Sequence, residues 1–338
     1  MKKQKIILII TISILFILPS FTGCLEGEKK VTIIGTNQQF KTISEAISNA
    51  KDGDTILVKD GVYQESLHIN KALTIKGNNK DNTILQGNKT GDVITIIVDN
   101  VTIMNFTIKN AGNSTYPLVD AGIDIQSGSN LIDNVIITKN NYGINMDSQD
   151  KVRIENSIIK DNYNRGINLY QCSNITINND AISNNSYGIY FSYVINSFVT
   201  NTSISEHDGR GLYLGSLSNF NLISGNSVTD NHYGIHVKGS LNNTFKNNLF
   251  MTNVRALYLC CGGEDNLIYL NVFLLNDENA YGYPVNQFDN GTIGNYWDDY
   301  NGTDSDNDGI GDTPYNATIG ESYGISNLDR YPLMSPSR

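Results

Sequence analysis

The chain has 338 residues, of which 39% are hydrophobic, and its formal net charge is −10. A chain of this length can bury a long hydrophobic core without a division into several globular domains. Acidic residues number 34 against 24 basic ones, and the sequence contains no basic stripe. Nucleic acid is therefore not an expected partner, because binding to phosphates needs such a stripe.

Residues 1–23 predict a lipoprotein signal peptide. Three lysines precede an apolar run over residues 6–18, and Cys24 follows small residues, which is the pattern of a lipidated cysteine. An ordinary signal peptide and an uncleaved signal anchor are the alternatives. In each case the folded part lies outside the cytoplasm, in the periplasm or at the cell surface. A lipid on Cys24 would anchor it to the outer face of the cytoplasmic membrane, with residues 24–30 as a tether.

A short amphipathic helix is predicted next. Thr42 and Glu45 fit a capping box, and Ile43, Ala46 and Ile47 share one helical face. Such an N-terminal capping helix would cover the open hydrophobic end of a solenoid. The apolar segments that follow resemble the N-terminal signature of pectate-lyase-like β-helices. They are residues 54–58, 61–63, 67–69 and 73–75.

Residues 110–119 are predicted to form an excursion between two coils, and they contain Pro117. A loop that interrupts a solenoid on one side often borders a binding face. An inert insertion is the alternative interpretation.

From Ala121 to Leu259 a glycine followed by alternating apolar residues recurs about every 22 residues. Each repeat contains three short strands separated by turns, whereas a helical repeat would need apolar positions three and four apart. The sequence therefore predicts an all-β fold, a single-stranded right-handed parallel β-helix with three strands per coil. The recurring positions are Gly122, Gly143, Gly166, Gly188, Gly211, Gly234 and Ala256.

The first strand of each repeat predicts which side chains point outward. The residues one and three positions after the glycine are apolar and face the core, so the residues beside them form two outward columns. The first outward column is Asp124, Asn145, Asn168, Tyr190, Tyr213, His236 and Tyr258. The second outward column is Gln126, Asp147, Tyr170, Ser192, Gly215, Lys238 and Cys260.

This outward face fits a polysaccharide or surface glycan, because sugar rings stack on tyrosine and sugar hydroxyls hydrogen-bond to carboxylates and amides. A solvated face, on which strand propensity alone places tyrosine, is the alternative. A protein partner at the cell surface is a further candidate. The predicted glycan-binding residues are Asp124, Asn145, Asp147, Asn168, Tyr170, Tyr190, Tyr213, His236 and Tyr258.

Two side-chain ladders are predicted at the corners of the coils. The residue before each glycine alternates between tyrosine and arginine, which favours cation–π stacking. Asparagines also recur, and we place Asn162, Asn184 and Asn231 in one ladder that bonds turn backbones between coils. Eleven Asn-x-Ser/Thr sequons are candidate glycosylation sites. The tyrosine–arginine corner is Tyr142, Arg165, Tyr187, Arg210, Tyr233 and Arg255.

A polysaccharide lyase or hydrolase is the catalytic alternative. Asp124 and Asp147 fall on adjacent coils, and Arg165 lies at the nearby corner. Two carboxylates and a guanidinium on one face are the groups that such chemistry uses. The Gly-His-Gly phrase of polygalacturonase-like sequences is absent, and we therefore favour a non-catalytic surface protein.

Two groups of residues are candidates for a transition metal. Cys260 and Cys261 are adjacent, either as free thiols or as a vicinal disulfide, and thiolates select copper. His207 and His232 lie at coil corners near His236, which faces outward. Solvated turn positions are the favoured interpretation of the two corner histidines.

Residues 304–312 have the spacing of a calcium loop, with carboxylates at loop positions 1, 3, 5 and 9 and a glycine at position 6. Tyr315 replaces the usual closing glutamate, so the loop resembles thrombospondin-type or dockerin-type calcium loops. A structural calcium ion is the expected cofactor. Its predicted ligands are Asp304, Asp306, Asp308, the backbone carbonyl of Ile310, and Asp312.

We place the β-helix at residues 31–285 and a C-terminal cap at residues 286–338. The coils and two C-terminal phrases resemble the NosD-type β-helix family. The phrases are Gly-Asn-Tyr-Trp-Asp-Asp-Tyr at 294–300 and Asp-Arg-Tyr-Pro-Leu at 329–333. This resemblance implies a periplasmic or cell-surface β-helix. The fold is shared by carbohydrate-binding and sugar-hydrolysing proteins and by an accessory factor for copper maturation of nitrous oxide reductase. A copper accessory role is therefore a further alternative.

Overall fold

The computed structural model describes residues 30–36, 38–115, 117–318 and 327–336. The predicted signal peptide and Cys24 lie outside these residues. No helix in the described ranges combines the length and the apolar character that a membrane span requires.

The described chain winds into a solenoid in which each coil contributes one strand to each of three sheets. In spatial order, sheet 1 contains Gln39–Phe40, Val31–Ile33, Thr55–Val58, Thr74–Gly77, Thr102–Met104, Leu131–Asp133, Arg153–Glu155, Thr176–Asn178, Phe198–Thr200, Leu222–Ser224, Thr244–Lys246 and Leu267–Tyr269. Sheet 2 contains Gly61–Gln64, Thr83–Gln86, Thr107–Lys109, Ile136–Thr138, Ile158–Lys160, Ala181–Ser183, Ser203–Ser205, Ser227–Thr229, Leu249–Met251, Val272–Leu274 and Tyr296–Trp297. Sheet 3 contains Leu67–Ile69, Ile94–Ile96, Ala121–Ile125, Tyr142–Asp147, Arg165–Tyr170, Tyr187–Ser192, Arg210–Gly215, Tyr233–Lys238, Arg255–Cys260 and Glu278–Gly282.

Strand pairing between coils is parallel except at the two ends of the described chain. Val31–Ile33 pairs antiparallel with Gln39–Phe40 and with Thr55–Val58. Tyr315–Asn316 and Leu328–Asp329 form a separate antiparallel pair. The predicted all-β, right-handed parallel β-helix with three strands per coil is confirmed.

The core is a set of aliphatic stacks inside the solenoid. Ile144, Ile167 and Ile189 occupy matching positions in three successive strands of sheet 3, and all are fully buried. Each such side chain contributes roughly 1.5–3 kcal/mol when it is removed from water. The inward positions predicted from the repeat are therefore the core positions of the solenoid.

The glycines of the repeat permit a close approach of neighbouring coils. A Cβ atom added at Gly143 would lie 2.4 Å from the carbonyl oxygen of Gly166, and one added at Gly188 would lie 2.4 Å from that of Gly211. A larger residue would therefore push the coils apart at this corner.

One helix, Ile43–Asn49, packs on the first strands of sheets 1 and 3. Thr42 is its N-cap, and the Thr42 hydroxyl accepts a hydrogen bond from the backbone N–H of Glu45 at 3.1 Å. The first coil supplies complementary charges. The Glu65 carboxylate accepts hydrogen bonds from the first two helical N–H groups, and Lys71 Nζ donates to backbone carbonyls at the C-terminal end.

Buried asparagines join successive coils at the turns, as predicted, but the ladder member in one coil is Asn185. The Oδ1 atom of Asn185 accepts hydrogen bonds from Asn162 N and Asn162 Nδ2, both at 3.0 Å. Asn184, which we placed in this ladder, is exposed and donates to Asp161. The prediction was wrong by one residue, because only the side chain that faces the neighbouring coil can reach the buried N–H groups there.

His207 is the next member of the ladder, and it is 2% exposed. Its Nδ1 atom lies 3.1 Å from Asn185 N, and its Nε2 atom lies 3.2 Å from the carbonyl oxygen of Ile182. The interpretation of His207 as a solvated turn residue was therefore wrong, since the imidazole replaces an amide as the bridge between coils. Burial lowers the pKa of His207 to about 4, so the ring is neutral.

The last coil extends beyond the boundary that we placed at residue 285. Tyr296–Trp297 continues sheet 2, and the Trp297 ring stacks on Phe273 with centroids 4.3 Å apart. Asp329 accepts a hydrogen bond from Trp297 Nε1 at 2.8 Å and another from Asn295 N at 2.7 Å. The C-terminal segment is thus bonded directly to the end of the solenoid.

Asp180 lies in a second series of buried side chains that bond neighbouring coils at another turn. It is 4% exposed; its Oδ1 atom accepts a hydrogen bond from Ser157 N at 2.7 Å, whereas its Oδ2 atom is buried without a hydrogen-bond partner. Burial raises the pKa of Asp180 to about 8. Two coils further on, Asn226 holds the corresponding position and donates its Nδ2 hydrogen to the carbonyl oxygen of Val199 at 2.9 Å.

We expect Asp180→Asn to stabilise the protein by about 1–3 kcal/mol at pH 8, because the amide removes a buried, unpartnered oxygen charge. The folded-state pKa of Asp180 exceeds its ordinary value of 3.8, so the folded chain retains a proton that the unfolded chain loses. The free energy of unfolding of the wild-type protein therefore falls as the pH rises from 3.8 towards about 8. The gain in Asp180→Asn should therefore be larger at pH 8 than at pH 5. Denaturant titrations would measure it, with the exposed Asp277→Asn as control; equal stability at pH 8 would contradict it.

Candidate functional site

The first outward column is built by the register of sheet 3. Asp124 pairs with Asn145, Asn145 with Asn168, and Asn168 with Tyr190. The column continues through Tyr213, His236 and Tyr258. Since matching residues of parallel strands lie about 4.8 Å apart, the side chains of the column touch one another.

A chain of hydrogen bonds runs along the carboxylate and amide end of the first outward column. Arg165 Nη1 donates to Asn168 Oδ1, Asn168 Nδ2 donates to Asn145 Oδ1 at 2.7 Å, and Asn145 Nδ2 donates to Asp124 Oδ1 at 2.7 Å. Gln126 Nε2 donates to the other oxygen of Asp124 at 2.6 Å. Asp124 is therefore held rigidly, and it is only 8% exposed.

A groove of about 810 Å³ lies over this polar end. Its volume is within the range of roughly 300–1,000 Å³ that is typical of ligand sites. One side is formed by Ser114 and residues 117–120, at the end of the predicted excursion. The strand side includes Asp124, Asn145, Asp147, Arg165, Asn168, Tyr170 and Tyr190.

The excursion is tied to the coil at its base. Ser114 N donates to Asp120 Oδ2 at 2.8 Å, and Asp120 N donates to the carbonyl oxygen of Ser114 at 3.1 Å. Asn141 Nδ2, on the following coil, donates to the same carbonyl at 2.6 Å. The excursion therefore borders the candidate site, one of the two interpretations of its sequence, and Leu118 remains 77% exposed on it.

Asp92 also lines the groove, and the sequence analysis missed it. Its Oδ1 atom accepts a hydrogen bond from Ala121 N at 2.8 Å, and its Oδ2 atom accepts one from Thr95 Oγ1 at 3.3 Å. Burial, together with the negative charges of Asp124 and Asp120, raises the pKa of Asp92 to about 6. Asp92 precedes the regular repeats, so no periodicity indicated that its carboxylate faces the groove.

The aromatic end of the first outward column lies beyond the groove. His236 stacks on Tyr258 with centroids 4.5 Å apart and contacts Tyr213 at 5.2 Å. Arg210 and Arg255 lie over Tyr213 and Tyr258, at 5.2 and 5.0 Å from the ring centroids. These rings are therefore covered largely by one another and by guanidinium groups. Three predicted ligand contacts, Tyr213, His236 and Tyr258, thus lie outside the groove.

The predicted corner of alternating tyrosine and arginine is present. Arg165 lies 5.6 Å from the ring centroid of Tyr142 and 3.5 Å from that of Tyr190. Because its Nη1 atom also bonds Asn168, this arginine holds the tyrosine and amide side chains of the groove in place.

His236 and Cys260 meet at the other end of the column. Arg210 Nε donates to His236 Nδ1 at 2.6 Å, so His236 Nε2 carries the ring proton and faces Cys260 Sγ at 3.3 Å. Burial raises the pKa of the Cys260 thiol to about 11. Burial lowers the pKa of His236 to about 3, and the positive charges of Arg210, Lys238 and Arg255 act in the same direction. A neutral imidazole that donates to a thiol is a structural contact. Cys260 and Cys261 are free thiols.

In the predicted calcium loop, Asp304, Asp306 and Asp308 bring one carboxylate oxygen each within 4.8 Å of the others. Asp312 Oδ2 accepts hydrogen bonds from Ser305 Oγ at 2.7 Å and from Thr303 Oγ1 at 3.0 Å. These bonds hold the pKa of Asp312 below its usual range. The structure therefore gathers three of the five predicted ligands at the start of the loop, and Asp312 bonds within the loop instead.

A family model described as a right handed beta helix region matches residues 121–273. The probable ABC transporter binding protein NosD of Stutzerimonas stutzeri is 32% identical over 114 residues, which cover 28% of this chain and 26% of NosD. A cell surface glycoprotein of Methanothermus fervidus is 33% identical over 129 residues, which cover 37% of this chain and 21% of the glycoprotein. The aligned part therefore spans about a quarter of the length of these relatives.

Solved structures share the fold at low identity. The A-module of the mannuronan C-5 epimerase AlgE6 of Azotobacter vinelandii superimposes with a TM-score of 0.59 at 18% identity, covering 72% of this chain and 74% of the module. Pectate lyase Pel9A gives a TM-score of 0.54 at 15% identity and covers 77% of each chain. The repeats and the three parallel sheets give this chain the right-handed parallel β-helix fold, and residues 121–273 match the model of the right handed beta helix region.

Proposed function

We propose that the chain binds a polysaccharide or surface glycan in the groove between the excursion and sheet 3. The observation that carries this proposal is the arrangement of the groove itself. Fixed carboxylate and amide groups, Asp124, Asn145 and Asp147, lie beside the tyrosine rings of Tyr170 and Tyr190. Sugars need both kinds of contact, since their hydroxyls hydrogen-bond and their ring faces are apolar.

The similarities support a glycan ligand. Two proteins with the same fold, a mannuronan epimerase and a pectate lyase, are named for their action on polysaccharides. One relative in sequence is named a cell surface glycoprotein. These names describe other proteins, and they favour a glycan over other ligands of similar size.

The charges in the groove favour a neutral glycan. Asp92, Asp120, Asp124 and Asp147 line it, whereas its cation, Arg165, bonds Asn168 and packs on Tyr190. A uronate carboxylate would therefore meet mainly like charges. Neutral hydroxyls, by contrast, can donate to the aspartates and amides.

We expect Tyr170→Ala to weaken binding of a neutral polysaccharide about 3- to 10-fold, because it removes a ring that is 38% exposed at the edge of the groove. Affinity electrophoresis in laminarin, mannan or dextran gels would measure the loss. Alginate and polygalacturonate gels should retain the wild-type protein less than the neutral gels.

Tyr281→Ala is the matched control, because Tyr281 lies on the same sheet but beyond the groove, where it contacts Tyr258. Its retention should equal that of the wild type. Free migration of the wild-type protein in every gel would overturn the proposal, and equal losses for Tyr170→Ala and Tyr281→Ala would place the site elsewhere on the face.

We also propose that the chain is exported and anchored through a lipid on Cys24. The support is the sequence of residues 1–24 and the surface location named for one relative. Mass spectrometry of the full chain extracted from membranes should find Cys24 as the N-terminal residue with an added lipid mass. The buried Cys172 should remain unmodified. An unprocessed N-terminus, or Cys24 without added mass, would contradict the anchor.

A structural calcium ion in the loop 304–312 is a further proposal, supported by loop spacing and by the three converging carboxylates. Calcium at ten times its dissociation constant should stabilise the chain by about 1.4 kcal/mol. Thermal unfolding with calcium and with a chelator would measure the shift. Asp306→Asn should abolish it, and Asp277→Asn should preserve it. Identical melting curves with calcium and chelator would contradict the ion.

A further inference from the structure

We propose that the groove hydrolyses the glycan it binds, with Asp92 as the general acid and Asp124 as the base that activates water. This inference rests on the proposed glycan binding and adds a reaction to it. Asp92 and Asp124 both line the groove, and they differ in what their oxygen atoms contact.

Register brings the two aspartates onto neighbouring coils. Asp124 pairs directly with Thr95, and the Thr95 hydroxyl donates to Asp92 Oδ2 at 3.3 Å. Ala121 N, at the start of the strand that carries Asp124, donates to Asp92 Oδ1 at 2.8 Å. The strand of Asp124 and the strand paired with it therefore both bond Asp92, and the two aspartates line the same groove.

Asp124 has the contacts of a carboxylate acceptor. Both of its oxygens accept hydrogen bonds from amide groups, at 2.6 Å from Gln126 and at 2.7 Å from Asn145. The Asn145 amide is itself oriented by Asn168, which bonds Arg165. An acceptor fixed in this way can take a proton from a water molecule in the groove.

Asp92 has the environment of a proton donor. Burial is the main cause that raises its pKa to about 6, and the nearby charges of Asp124 and Asp120 act in the same direction. On the preceding strand, the exposed His68 pairs with Thr95. Two carboxyl groups in one site with different environments are the pattern of an acid and base pair.

The reaction consumes one water molecule for each bond broken. Asp92 donates its proton to the glycosidic oxygen as the bond from that oxygen to the anomeric carbon breaks. Asp124 accepts a proton from water as the water oxygen bonds the anomeric carbon. After the products leave, Asp124 returns its proton to solvent and Asp92 takes one up. No oxidant, reductant or further reactant is needed.

The substrate class follows from the groove. Four aspartates and one engaged arginine disfavour uronates, so the substrate is a neutral polysaccharide. The groove lies between residues 117–120 of the excursion and the strand side that carries Tyr170. Each cleavage should produce one new reducing end.

The test uses the full chain with laminarin, mannan and dextran as probes, and it measures both retention and reducing ends. Wild-type protein should release reducing ends from the polysaccharide that retains it. Asp92→Asn should lower this rate about 100-fold or more, a loss much larger than any change in its retention. Asp81→Asn, in an exposed turn, is the matched control and should keep the full rate.

The pH profile is a second readout. The rate should fall as the pH rises above about 6, because Asp92 loses the proton that it donates. Binding without any release of reducing ends would overturn the hydrolytic inference and leave the glycan-binding proposal standing. Full activity of Asp92→Asn would overturn the assignment of the acid. Absence of retention on all three probes would overturn both proposals.

Discussion

The register between successive coils is the constraint on which the rest of this structure depends. Matching residues such as Asn145 and Asn168 pair strand by strand through the whole of sheet 3. Glycine at the corner lets neighbouring coils approach closely. Buried side chains such as Asn185 accept hydrogen bonds from backbone N–H groups at the turns. A slip of one residue would turn the aliphatic stacks outward, so the buried core and the turn ladders enforce the same register.

This register also decides the chemistry of the outer face. Because equivalent positions stack, a column of unlike residues becomes a continuous surface with two different ends. At one end the amide of Asn145 and the carboxylate of Asp124 bond each other and leave polar edges towards solvent. At the other end His236, Tyr258 and Arg255 cover one another's faces. The groove accordingly lies over the polar end.

A concave site on a solenoid requires a departure from the repeat, because stacked parallel strands make a flat face. The departure here is the excursion, whose base is closed by the pairing of Ser114 with Asp120. Asp92 is partly buried in the same groove, and the charges of Asp120 and Asp124 lie near it. The regular repeats thus form the strand side of the groove. The excursion forms its other side, close to the carboxyl group of Asp92.

The sequence by itself determined the architecture and the direction of the strand side chains. A period of about 22 residues with alternating apolar positions predicts a parallel β-helix. Each outward residue from Asp124 to Tyr258 follows from the alternation of side chains within a strand. Turns have no such alternation, so the choice between Asn184 and Asn185 depended on which side chain faces the N–H groups of the preceding coil. Asp92 belongs to a coil of irregular length that precedes the repeat of Asp124, so periodicity could not pair the two aspartates. Only the tertiary packing of that coil against the first regular repeat brought them together, because their proximity depends on strand pairing rather than on spacing along the chain.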